Sequence, residues 1–191
     1  MEITYISYAM SRPLLVLLAF GATIGTLLDA MHTFGGATEY LHPFVLRTAW
    51  WVPLLFMSAY GFGGFLYALG WDKLAGPARW PSWGEAIGGV VGFAALYAVS
   101  AFLPASNVIK LVLLLSGAIA LWLWLDRSWQ GIALGVVAAF CGPFTEFVLW
   151  RLGLFRHLAP DLFGLPMWLP ALYLAAGPSF GQFARRVAKR A

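Results

Sequence analysis

A chain of 191 residues that is 61% hydrophobic and only 10% charged cannot hide its apolar surface as a soluble domain, where roughly a quarter of residues carry charge. The bilayer must be its solvent. Its single cysteine, Cys141, excludes an intramolecular disulfide and a cysteine metal cluster, and its net charge of +4 is gathered in a basic tail of Arg185, Arg186, Lys189 and Arg190 that reads as a membrane-surface anchor, with no nucleic-acid partner expected.

Charges mark where such a chain meets water. Residues 13–28, 48–71, 86–109, 111–125, 128–145 and 162–184 carry none. A span needs about 20 residues at a helical rise of about 1.5 Å. The runs therefore predict an all-α membrane protein, a six-transmembrane helix bundle. Its spans are about 12–34, 48–70, 84–103, 107–125, 129–150 and 166–184, within one integral-membrane domain, residues 1–191. The first run ends on Asp29-Ala30-Met31-His32, not on a small-residue cleavage site, so no cleavable signal is expected. Bases set the orientation. One side holds Arg12, Lys73, Arg79, Arg127, Arg185, Arg186, Lys189 and Arg190, against Arg47, Lys110, Arg151 and Arg156 on the other. Both termini are expected to be cytoplasmic.

Glycines four apart, Gly21/Gly25, Gly84/Gly88/Gly92, Gly131/Gly135 and Gly177/Gly181, put small residues on one face of their helices. In the fifth span Gly131, Gly135, Ala138, Gly142 and Glu146 form one stripe. These faces serve either packing within the bundle or a homo-oligomer seam. Pro53, Pro143, Pro170 and Pro178 each remove a backbone donor and are expected to bend their helices, opening crevices.

Two charges, Lys110 and Glu146, interrupt apolar runs near the non-cytoplasmic ends of adjacent helices. An unpaired charge in hydrocarbon is costly, so they are expected to pair with each other. Asp29 and His32 end the first span on the same side, giving a small polar group. Either it grips a lipid head or relays protons, or the basic side chains snorkel and the acids cap helix ends. No metalloprotease, serine-hydrolase, phosphate-loop or dinucleotide signature occurs, so no enzyme is expected. His32, His42 and His157 share no ligand spacing and read as interfacial histidines; no metal or other cofactor is expected. Trp50, Trp51, Trp80, Trp83, Trp129, Trp150 and Trp168 fall near span ends as an interfacial belt.

Several blocks resemble the insulin-induced gene (Insig) family. Thr48-Ala49-Trp50-Trp51-Val52-Pro53 is similar to that family's Ser-Ala-Trp-Trp-Val-Pro opening its second helix, and Gly64-Phe65-Leu66-Tyr67 to the Gly-Leu-Leu-Tyr that follows. Leu121 to Leu134, with Asp126-Arg127-Ser128 and Gly131, resembles the stretch around its Asp-Arg-Ser turn. Pro160-Asp161-Leu162-Phe163, Trp168-Leu169-Pro170 and Gly181-Gln182-Phe183-Ala184-Arg185-Arg186 resemble its approach to, and end of, the sixth helix. The blocks keep the family's order from about residue 48 to 188; the first helix is only generically similar.

The resemblance implies a non-enzymatic lipid sensor whose animal members bind oxysterols and act on the escort protein Scap and on HMG-CoA reductase. It implies a partner-contact role for Asp126, beside Arg127. It implies lipid contact by Trp122 and by Ile109 or Lys110, where the family has glutamine; Glu146 stands at another family glutamine. The second arginine of the family's turn is Trp129 or Gln130 here, and the extended tails are absent, which argues against Scap-type partnering. The arginine-rich, compact chain resembles a bacterial member of the plasma membrane, so the bound lipid is expected to be diacylglycerol-like or sterol-like. It would enter between kinked helices, its head on the group formed by Asp29, Lys110 and Glu146, its tails against Trp51, Trp122 and Phe144. The competing reading is a small transporter or proton-coupled carrier using Lys110 and Glu146; against it stands the absence of a half-repeat in the sequence.

Overall fold

The computed structural model describes residues 12–75 and 80–189. Arg79 and Arg190, both used in the count of bases, lie outside these. Among the described residues five helices are long and apolar enough to cross a membrane: α1 Arg12–Phe34, α2 Val52–Gly70, α3 Trp83–Phe102, α4 Asn107–Leu125 and α5 Trp129–Arg151. The helix of α2 runs on to Ala75. Two short strands, β1 Thr38–Tyr40 and β2 Phe155–His157, pair antiparallel across the loops after α1 and α5. This ribbon marks the loop end of the bundle.

The stretch expected as one sixth span is two helices, α6 Leu169–Leu174 and α7 Ala176–Ala188. Pro178 has no N–H to offer the carbonyl of Leu174, and the chain turns at Ala175 between them. Helix α7 is the central rod, packed on α2, α3, α4 and α5. It buries Ala176 through Gln182 together with Ala184 and Arg185. Because it meets protein rather than lipid, it can carry Gln182 and Arg185, and at 13 residues it is too short to span a bilayer alone.

Aromatic rings fill the space around Phe180. It stacks on Tyr60 at 4.4 Å and meets Phe93 edge-on at 4.6 Å. The stripe on α5 is a packing surface: a Cβ on Gly135 would lie 2.6 Å from the Leu174 carbonyl oxygen, and one on Gly142 would enter the Tyr173 ring. Pro53 and Pro170 do not bend helices; they stand in the first turns of α2 and α6, where a missing N–H is harmless.

Helices α1 and α2 cross closely. A Cβ on Gly25 would overlap the Phe56 side chain, and one on Gly61 would meet Leu18. At the crossing both helices widen into π-turns, Gly21–Gly25 and Met57–Phe62. Carbonyls beside these turns take hydroxyl donors: Thr23 and Thr26 donate to Ala19 and Ala22, and Ser58 donates to Leu54 at 2.9 Å. That is how irregular backbone is tolerated at membrane depth.

The structure overturns the expectation that the chain has no half-repeat. The features of the α1–α2 unit recur in α5–α7 at the sequence separation of the Glu39–Arg156 ion pair, 117 residues. Gly36 and Gly153, each just past its helix, take positive φ of 72° and 68°. The turn closed by Val45 and Thr48 matches that closed by Leu162 and Leu165. Left-handed Leu46 and Arg47 match Phe163 and Gly164. Trp51-Val52-Pro53 matches Trp168-Leu169-Pro170, and Gly25 and Gly64 match Gly142 and Gly181. In the ribbon Thr38 faces His157, Glu39 faces Arg156 and Tyr40 faces Phe155. This register describes a pseudo-two-fold axis through the Glu39–Arg156 pair. Both units run toward the ribbon in the same sense, so the axis lies along the helices. The α3–α4 hairpin is inserted between the units and has no counterpart.

Candidate functional site

A polar cluster lies beneath the ribbon, where side chains from α1, α3, α4, α5 and α6 converge. Two acids anchor it, and the repeat relates them: Asp29 on α1 and Glu146 on α5. The Tyr40 hydroxyl donates to Asp29 Oδ2 at 2.8 Å. In the second unit, His157 Nε2 lies 2.7 Å from Glu146 Oε2. Each donor stands 11 residues after its acid, at the end of the following strand. Burial and the neighbouring Asp29 carboxylate push the Tyr40 phenol above the usual tyrosine range. Glu146 is further satisfied by the Tyr173 hydroxyl on α6, which donates to Oε1 at 2.6 Å.

These contacts correct the expected Lys110–Glu146 pair. Lys110 Nζ donates instead to the Ser100 carbonyl at 2.7 Å. It reaches back over the turn between α3 and α4, while Glu146 is taken by groups on β2 and α6. His32 belongs to the same polar layer. The Ser100 hydroxyl donates to the Tyr97 carbonyl, so the 2.8 Å contact between Ser100 Oγ and His32 Nε2 must be a donation from the imidazole. His32 also stacks on Tyr97 with ring centroids 4.6 Å apart. His32 and His157 are thus buried participants, 4% and 5% exposed, rather than interfacial. Among the described residues no three His, Cys, Asp or Glu are grouped to hold a metal.

Next to this layer a cleft of about 480 Å³ opens between the α3–α4 turn and the ribbon. Gly36, Phe102, Asn107, Lys110, His157 and Trp168 are among its lining residues. Asn107 is locked in place. It donates to the Ala159 carbonyl and to Asp161 Oδ2, and its own oxygen accepts from Trp168 Nε1 at 3.0 Å. The second symmetry-related position, near Tyr40, Trp150, Gly153 and Arg156, carries a smaller cleft of about 350 Å³.

The other expected site residues are dispersed. Trp51 is partly buried, edge-on to Tyr40 at 5.6 Å. Ile109 and Phe144 are not inside the bundle: they are 51% and 57% exposed on its outer surface, because the helical phase that turns Lys110 and Glu146 inward turns these residues out. Trp122 lies at the far end, where its indole donates to the Ser128 carbonyl at 2.9 Å. There the Ser128 hydroxyl donates to Asp126 Oδ1 and accepts from Gly131 N–H. Ser128 therefore caps α5. Burial raises the Asp126 carboxyl above its ordinary value, opposed by the Ser128 hydrogen bond and the Arg185 charge. Arg127 takes positive φ of 52° and donates to the Leu123 carbonyl.

Sequence reasoning missed Tyr40, Ser100, Asn107, Tyr173 and the true role of His157. The signal for Tyr40 and His157 was available: an intramembrane acid followed at the same interval by a side chain able to donate to it, twice.

No family model matches the chain. The insulin-induced gene 1 protein of Cricetulus griseus is 27% identical over 180 residues, covering 91% of this chain and 70% of that protein. The insulin-induced gene 2 protein of Gallus gallus is 31% identical over 146 residues, 75% of this chain and 65% of that protein. The crystal structure of MvINS, a mycobacterial Insig homologue from Mycobacterium vanbaalenii, superposes with a TM-score of 0.83 at 29% identity, over 94% of this chain and 96% of MvINS. A chain from the crystal structure of a cross-linked trimer of an MvINS variant superposes equally well. Matched in sequence and in fold over nearly its whole described length, this chain is a homologue of the Insig membrane proteins.

Proposed function

We propose that the chain is a non-enzymatic, lipid-binding regulatory protein of the bacterial plasma membrane. It crosses the bilayer six times with cytoplasmic termini, the broken α6–α7 rod serving as the sixth crossing. It holds an amphiphile with a small, uncharged head of the diacylglycerol or sterol kind, and it assembles with copies of itself, as the MvINS variant crystallised as a trimer does.

The observation that carries the reading is the cleft beside the polar layer. It lies at the helix ends, where a lipid head group resides, and offers the Lys110 ammonium, which donates to a backbone carbonyl and lies 6.0 Å from the centroid of the Trp168 ring. Hydroxyl and ester oxygens suit such a donor, while the Trp168 ring forms an apolar wall. The acids are already occupied by phenol and imidazole donors. That arrangement suits an orienting scaffold better than proton transfer or nucleophilic chemistry. A partner would read the ligated state through the Asp126 turn at the opposite end.

The test is native mass spectrometry with solvent extraction of protein purified from membranes. A glycerolipid or sterol in fixed stoichiometry, diminished by Lys110→Met, is the expected result. Lipid-free protein that moves protons in liposomes would overturn the reading in favour of a carrier.

A further inference from the structure

The internal repeat makes one lateral face of the bundle anomalous. The α3–α4 hairpin packs on the face made by α1 and the α6–α7 rod. There Ala175 and Ser179 are fully buried, Phe180 meets Phe93, and Gly35 abuts the Ala101 carbonyl. The pseudo-two-fold axis carries that face onto one made by α5 and α2. Among the described residues no element covers it. The counterparts of Ala175, Ala176, Ser179 and Phe180 are Ser58, Ala59, Phe62 and Gly63, and all four are exposed. The counterpart of Gly35 is Leu152, 66% exposed.

The difference is not a matter of helix phase, because related pairs on other faces keep the same orientation in both units. Leu27 and Phe144, a related pair, are both outward, at 51% and 57% exposed. Val52 and Leu169, another pair, are both buried, at 0% and 1%. The counterparts diverge where the hairpin sits. Small residues at positions 58, 59 and 63 leave room for a helix to approach closely, as the hairpin does on the equivalent face.

We propose that the α2–α5 face is the docking surface for the α3–α4 hairpin of a second copy of this chain. One such face is filled by the bundle side of the chain's own hairpin; the other takes the outward side of the neighbour's, where Ile87, Val91, Val112 and Ile119 are exposed. The contact uses different surfaces on the two copies, so repetition closes a ring when the rotation permits. This rests on the self-assembly in the functional reading and adds to it the surface that mediates it.

The experiment places the photoreactive amino acid p-benzoyl-phenylalanine at Phe62 in a copy carrying one tag, co-reconstituted at high lipid excess with a copy carrying another. Subunit number is counted separately by single-molecule photobleaching of the wild type. The expected results are more than one subunit per particle, a light-dependent link between tags, and a linked peptide within residues 83–125 of the partner. The same probe at Leu15, 63% exposed but away from the face, is expected to give no link between tags. An assembly in which the Phe62 probe labels only lipid, or links to helices other than α3 and α4, overturns the surface while leaving self-assembly standing. A single subunit per particle overturns both. Ala59→Trp, which fills the groove from the membrane side, is expected to abolish the link and the assembly while helical content is retained; a persistent assembly with the same cross-link would refute the assignment.

Discussion

Two double-mutant cycles sharing Glu146 separate the arrangement described above from the one that charge placement alone suggests. In the first, Glu146→Ala and His157→Ala are combined; in the second, Glu146→Ala and Lys110→Met. The Glu146–His157 contact is 2.7 Å between side chains only 18% and 1% exposed. A hydrogen bond to a charged group in a protein interior contributes about 1.5–3 kcal/mol, whereas polar pairs in membrane bundles average about 0.6 kcal/mol. The pair lies just under the loops, between those settings, and a coupling of about 1–2 kcal/mol is expected. Lys110 is held by Ser100, not by Glu146, and its cycle is expected to close within about 0.5 kcal/mol. Unfolding free energies from a reversible detergent titration of the purified protein supply the measurement. If the Lys110 cycle couples more strongly than the His157 cycle, the polar layer is wired differently and the account of it fails.

Other consequences are simpler to measure. Gly177→Ala places a methyl 2.5 Å from Gly135 N and 2.7 Å from its Cα, backbone that cannot step aside. It should lower stability by about 1–3 kcal/mol, read as a drop in Tm, while Gly63→Ala, with open space around it, should leave the Tm of the detergent-solubilised monomer unchanged. The Asp126 carboxyl is raised in the fold, so the folded state holds its proton more tightly than the unfolded chain. Its stabilising contribution is therefore present in acid and lost as pH rises through the folded value. Asp126→Asn should flatten the change in Tm between about pH 4 and pH 8, and an unaltered slope would refute the burial argument. The ion pair of Arg156 and Glu39 is 67% and 53% exposed. Glu39→Gln is expected to change stability by under about 1 kcal/mol despite its place on the pseudo-axis.

The uncharged runs gave the membrane and the approximate helix limits because lipid-facing surface must be apolar. They misled where a helix does not face lipid: α7 carries Arg185 and Gln182 because protein surrounds it. Depth could be read from the chain, but angular position about the bundle could not. That is why Lys110 and Glu146, at similar depth, were expected to meet. It is also why Ile109 and Phe144 were placed indoors although the turns of their helices aim them outward. His157 repeats the interval from Glu146 that Tyr40 keeps from Asp29, but a loop position carries no depth signal of its own, so the interval acquires meaning only once the strand is seen to carry it under the ribbon. The repeat was legible in Trp51/Trp168, Pro53/Pro170 and Gly36/Gly153, but these few identities are diluted by lipid-facing positions, where one large apolar residue replaces another freely.

The local pairing of each acid has a consequence for biosynthesis. Tyr40 and His157 follow their acids by 11 residues, within the same emerging hairpin. Asp29 can therefore acquire its donor while the ribosome has yet to complete α5, and Glu146 can acquire His157 without waiting for the ribbon to zip. Each hairpin can thus meet the bilayer with its intramembrane acid already hydrogen-bonded by a neighbour in the chain. The long-range joining of the two is left to side chains and backbone that tolerate delay.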